Sequence, residues 1–80
     1  MNFDELKLII SRVFTEEEKL EVFMKKSEIT SWDSIGHLNL ILEVEDSLGI
    51  SFRKEEIEEI NSFSLLLSIL NNKLENEKSR

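Results

Sequence analysis

Asp33-Ser34-Ile35-Gly36-His37-Leu38-Asn39-Leu40-Ile41-Leu42-Glu43-Val44-Glu45-Asp46-Ser47-Leu48-Gly49 decides the fold. Asp and Ser are residues that cap the start of a helix, and Gly is the usual stop. Between them the apolar residues fall into two groups at about 100° per residue. Leu40, Ile41, Val44 and Leu48 form one stripe, suited to a core. Ile35, Leu38 and Leu42 form a second stripe on another part of the wheel, edged by Glu45 on one side and by Asn39 and Asp46 on the other. Both groups cannot face the same core. The second stripe either packs under a neighbouring loop or serves as a surface for another protein, since apolar contacts rimmed by charge are the anatomy of a docking face.

Working outward, helices dominate. No proline occurs, and the glycines are Gly36 and Gly49, too few turn residues for a protein built from short strands. Phe3, Leu6, Ile10, Val13 and Phe14 recur at three- and four-residue steps and predict a helix from Phe3 to Phe14, with Asn2 and Glu5 as its capping box. A polar connection runs from Thr15 to Trp32, with Glu16 to Lys26 compatible with helix but aperiodic. Leu20, Phe23 and Ile29 are its expected anchors. After Gly49 a short helix fits Lys54 to Ile60. A last one fits Phe63 to about Leu74, capped by Asn61 or Ser62, with Phe63, Leu66, Leu67, Leu70 and Leu74 as its stripe. The charged tail, 75–80, is expected to fray. The expectation is one all-α domain over residues 1–80, a small bundle of three long helices and one short one.

Composition narrows the function. The chain has 80 residues, and its seventeen acids against ten bases give a formal charge of −7. That balance argues against nucleic acid and anionic membrane surfaces, and suits either simple solubility or a partner with a basic docking patch. The longest apolar runs, Leu40–Leu42 and Leu65–Leu67, are far short of the roughly 20 residues that cross a bilayer. The start, Met1 to Glu5, lacks the basic and apolar pattern of a signal peptide, so the cytoplasm is expected; the chain is also expected to be a monomer. Without cysteine there is no disulfide or thiolate site, and the acidic clusters (Glu16 to Glu18, Glu55 to Glu59) lack the alternating ligands and central glycine of a calcium loop. Ser34 and the sole histidine, His37, share a helix face, but no orienting acid or oxyanion hole marks them as a hydrolytic pair. His37 reads as a half-buried seal at the start of the helix, with a role in positioning a bound arm as the other reading. Trp32 reads as a lid on the core, or as a contact for an arm or a partner.

Ser34 is the chemically interesting residue. Its hydroxyl lies in the first turn of a helix, where free backbone N–H groups and the positive dipole end favour a phosphate. Gly36 leaves room for a bulky group to approach. Taken alone, Asp-Ser before an apolar run is an ordinary cap.

From about Ile29 to Leu70 the chain resembles the acyl and peptidyl carrier proteins. The likeness rests on Asp33-Ser34-Ile35 in place of the family's Asp-Ser-Leu and on the apolar and acidic helix that follows. It extends to the turn Gly49-Ile50-Ser51-Phe52, the acidic helix Glu55 to Ile60, and the polar pair Asn61-Ser62 before Phe63. The resemblance implies a carrier, not an enzyme. A phosphopantetheinyl transferase would attach 4'-phosphopantetheine to Ser34, with Asp33, Ile35 and Gly36 beside it, and the cofactor's thiol would carry acyl or aminoacyl groups as thioesters. It further implies docking of a loading ligase or synthase, and of an acyltransferase or ketosynthase, on Ile35, Leu38, Leu42, Glu45 and Asp46, with Glu55, Glu56 and Glu59 extending the acidic surface. By the same analogy Leu40, Val44, Ile60 and Leu67 would line any cavity that shelters cargo. Trp32 before the motif, the less acidic Gly36, His37 and Asn39, and Glu43 depart from the fatty-acid type and look more like a specialised stand-alone carrier. Fatty-acid, polyketide and other specialised biosynthesis remain open as pathways. The rival reading is an acidic helical adaptor in which Ser34 is only a cap.

Overall fold

The computed structural model describes residues 1–17 and 19–78, with side chains as far as residue 75. Glu18, within the first acidic run, and Ser79 and Arg80, at the end of the tail, lie outside the described residues. Among the described residues there are four α-helices: α1 (Phe3–Val13), α2 (Ser34–Leu48), α3 (Lys54–Glu59) and α4 (Phe63–Lys78). The all-α expectation of three long helices and one short one describes this architecture.

Each boundary has a local cause. At α1, Asn2 Oδ1 accepts from the Glu5 N–H at 2.9 Å and Glu5 Oε1 accepts from the Asn2 N–H at 3.2 Å, the expected capping box. Asp33 caps α2, its Oδ1 accepting from the Gly36 N–H at 2.8 Å. Gly49 ends α2 in the left-handed conformation, φ 65° and ψ 35°, which a residue without Cβ adopts without steric cost. Ser62 Oγ accepts from the Leu65 N–H at 3.2 Å and so caps α4. That helix runs on to Lys78, past the expected end near Leu74. The apolar stripe stops there, but no glycine or proline stops the backbone.

One core joins the helices. Leu6, Ile9, Ile10 and Phe14 enter it from the α1 side, Leu40, Ile41 and Val44 from α2, and Phe63, Leu66 and Leu70 from α4. Ile50, Phe52 and Ile60 close it around α3. Leu48, Leu67 and Leu74 are only half-buried at its edge.

The connection between α1 and α2 carries no α-helix among its described residues, only a single 3-10 turn at Lys26–Glu28. Glu16 to Lys26 is helix-compatible in composition, but without periodic apolar residues it has no face to bury. The connection is stitched instead to the α3–α4 junction. The Lys26 N–H donates to the Asn61 carbonyl at 2.7 Å, and the Phe63 N–H donates to the Met24 carbonyl at 3.1 Å. Leu20, Ile29 and Trp32 reach the core from it. Phe23 does not, and this corrects the expectation that it anchors the loop: it lies at a turn and is 78% exposed.

Candidate functional site

Ser34 is the first residue of α2, exposed on the helix turn that Asp33 caps. Its hydroxyl has no hydrogen-bond partner among the described residues. The Asp33 carboxylate holds the Gly36 N–H, and the Asp33 carbonyl takes the His37 N–H at 2.8 Å. That leaves the N–H groups of Ser34 and Ile35 as the free donors at this helix end. A phosphate ester on Ser34 would sit in this positive field without displacing any contact of the fold.

Gly36 has a different reason from the one expected. It is buried, and a Cβ there would fall on the Ser31 carbonyl oxygen and come within 3.3 Å of the Phe14 ring. The bulky group that needs the space is the incoming loop itself. Gly36 lets α2 press against its own connection, so Ser34 emerges from a fixed base.

The second stripe of α2 is open. Ile35, Leu38 and Leu42 are 72, 55 and 53% exposed, while Leu40, Ile41 and Val44 on the same helix are almost fully buried. No loop covers these three side chains. Beside them an open groove of about 460 Å³ runs between α1 and α2, lined by Arg12, Val13, Asn39, Leu42, Glu43 and Asp46.

The acids of the expected docking surface divide. Asp46, Glu55 and Glu59 are exposed, as is Glu58, which the sequence reading passed over although it belongs to the same acidic helix. Glu45 and Glu56 are engaged within the chain. Glu45 Oε2 accepts from the Phe52 N–H at 2.8 Å, bracing the turn between α2 and α3. Glu56 caps α3 by accepting from the Arg53 N–H at 2.8 Å and pairs with Lys73 of α4 at 2.7 Å. Burial pushes the Glu56 carboxyl up, but the Arg53 N–H and the Lys73 ammonium, with the charge of Arg53, hold it below the ordinary range.

Trp32 and His37 also turn inward. Trp32 is 2% exposed and stacks on Phe63 with ring centres 4.7 Å apart, which makes it the lid on the core. His37 is half-buried, as expected, with both ring nitrogens in hydrogen bonds. Leu40, Val44 and Ile60, the expected cavity lining, are packed in the core with exposures of 0, 0 and 1%. Among the described residues no group of acids and histidine is arranged to hold a metal ion, and no helix is long and apolar enough to cross a membrane.

No family model matches this sequence, and no curated protein matches it significantly. A solved structure is similar: the solution NMR structure of a holo acyl carrier protein from Geobacter metallireducens. The two share 27% sequence identity at a TM-score of 0.85, over 96% of this chain and 90% of that one. This chain therefore has the fold of an acyl carrier protein.

Proposed function

We propose that this chain, of the acyl carrier protein family, carries acyl or aminoacyl intermediates as thioesters on a 4'-phosphopantetheine arm joined to Ser34. The observation that carries this reading is an exposed, unpartnered serine hydroxyl on the first turn of a capped helix, directly beside an uncovered apolar stripe. The holo state of the similar carrier supports it further. When bound, the cofactor supplies the thiol that this cysteine-free chain lacks.

The protein's own residues hold and present the arm. Asp33 fixes the helix start, and Ile35 and Gly36 set the surface and the base around Ser34. The free N–H groups of the first turn offset the charge of the phosphodiester. Ile35, Leu38 and Leu42 form the apolar centre of a docking face, with Asp46, Glu55 and Glu59 as its acidic rim. Partners with a basic patch fit this face: a phosphopantetheinyl transferase, a loading ligase or synthase, and an acyltransferase or ketosynthase. Glu45 and Glu56 contribute to it by bracing α3. Action as a monomer in the cytoplasm goes with this reading, as does membership of a specialised biosynthetic route.

The test is the intact mass after incubation with coenzyme A, magnesium and a broad-specificity phosphopantetheinyl transferase. Wild type should gain one phosphopantetheine unit, and Ser34→Ala and Ser34→Asn none. Loading of a Ser34→Asn chain, or no loading of folded wild type by any transferase tried, would leave an acidic helical adaptor as the better description.

A further inference from the structure

The Trp32 indole Nε1 lies 2.8 Å from His37 Nδ1, and His37 Nε2 lies 2.8 Å from the backbone carbonyl oxygen of Ile57. An indole N–H can only donate, so Nδ1 must accept. The proton then sits on Nε2 and is donated to the carbonyl. The tautomer follows from the partners. The imidazole also lies nearly parallel to the indole, with ring centres 6.1 Å apart and an 18° tilt. Trp32 itself packs against Phe14 and Phe63, with ring centres 5.7 and 4.7 Å away. His37 is therefore held from behind by the core and reaches forward to α3.

The point it reaches matters. Ile57 is in the last turn of α3, where carbonyls run out of intrahelical donors and the dipole end is negative. A ring N–H from α2 meets that need. With only six residues, α3 has little stability of its own. Among the described residues, a second polar tie between helices is the Lys73–Glu56 pair on the α4 side. His37 is one helical turn after Ser34, so the residue that holds α3 stands beside the attachment serine.

We infer that His37 is a positioning residue for partner recognition: a latch, oriented by Trp32, that fixes α3 and its exposed Glu55, Glu58 and Glu59 relative to Ser34. This rests on the carrier reading of Ser34. The latch touches no reacting atom. It sets the angle at which the acidic helix and the attachment site meet a partner together.

The test pairs NMR of isotope-labelled protein with transferase kinetics. In wild type the imidazole nitrogens should report the Nε2-protonated tautomer, with the Trp32 indole N–H protected from exchange. In His37→Ala that protection should fall by about tenfold, the scale of one lost hydrogen bond. The amides of 54–60 should shift while those of α1 and α4 hold. The KM for the carrier in phosphopantetheinyl transfer should rise by about three- to tenfold with kcat kept, the pattern of lost uniform binding. His37→Gln, which still offers an acceptor and a donor, should restore both readouts, and Trp32→Phe should loosen the ring while keeping its bond to Ile57. If His37→Ala fails to fold, the Gln and Phe variants carry the same comparison. Unmoved α3 amides, an Nδ1-protonated ring, or α3 shifts without a change in KM would each overturn the proposal. Failure of wild type to be loaded counts instead against the carrier reading, and the tautomer and amide shifts then judge the latch alone.

Discussion

Lys73 Nζ on α4 lies 2.7 Å from Glu56 Oε1 on α3, with the two side chains only 19 and 15% exposed. The same oxygen caps the start of α3 through Arg53, so one carboxylate both starts this short helix and ties it to its neighbour. Lys73 also stands 5.5 Å above the Phe52 ring. The pair is sheltered enough to matter more than an ordinary surface ion pair.

A pH dependence follows from its sign. The folded Glu56 carboxyl titrates below its ordinary value of 4.5, so the unfolded chain binds this proton more readily. Its contribution is fully present above the unfolded value and is lost as pH falls through the folded one. Glu56→Gln should cost about 1 kcal/mol near neutral pH by urea denaturation. The gap between variant and wild type should narrow as pH falls below the ordinary carboxylate range and through the lowered folded value. A gap that stayed constant with pH would mean that the cap, and not the charge, carries the effect.

The glycines should fail for opposite reasons. Gly36→Ala places a methyl on the Ser31 backbone carbonyl, with the buried Phe14 ring close by and no flexible side-chain end to move. It should lower stability by about 1–3 kcal/mol, the range for overpacking. At Gly49 a Cβ meets nothing within 4 Å, so Gly49→Ala should cost only the left-handed backbone, about 1–2 kcal/mol. Gly49→Asn should recover much of that, because Asn tolerates this region. Thermal melts of the three variants check the pair, and an equal rescue of Gly36 by Asn would contradict the steric account.

The cap of α2 is separable from the chemistry of Ser34. Asp33→Ala removes the acceptor of the Gly36 N–H and should cost about 0.5–2 kcal/mol, whereas Asp33→Asn should be nearly neutral. Melting temperatures followed by circular dichroism distinguish the two. A large loss in Asp33→Asn would show that charge at this helix start matters more than the hydrogen bond.

Much of this architecture could be read from spacing. The two stripes of α2, the Asn2–Glu5 box and the Gly49 stop are local, and local patterns decide them. What stayed hidden depended on contacts distant in sequence. Phe23 is as apolar as Leu20 and Ile29, but Met24 and Lys26 pair with the backbone around Asn61 and Phe63, and that register turns Phe23 outward. Glu45 and Glu56 look like their exposed neighbours until the turn at Phe52 and the approach of Lys73 engage them. Ile9 joins the core beside the expected stripe of α1, because the buried arc of that helix is wider than one stripe. The role of Gly36 depended on Ser31, five residues back in a loop whose path no periodicity reports.

The exposed stripe offers a contrast within a single helix. Leu38 and Leu40 are two residues apart and chemically identical, but one is 55% exposed and the other 0%. Leu40→Ala should cost about 2–5 kcal/mol, the range for a large-to-small change in a packed core. Leu38→Ala should stay within about 0.5 kcal/mol of wild type, as surface substitutions do. Its effect should appear in recognition instead. Leu38→Ala, and more strongly the combined Ile35, Leu38 and Leu42 alanine variant, should raise the KM for loading by the transferase while the melting curve holds. Denaturation and loading kinetics on the same samples make the comparison. If the triple variant loads like wild type, the uncovered stripe is not the face the transferase reads. If it melts early, the stripe is part of the fold after all.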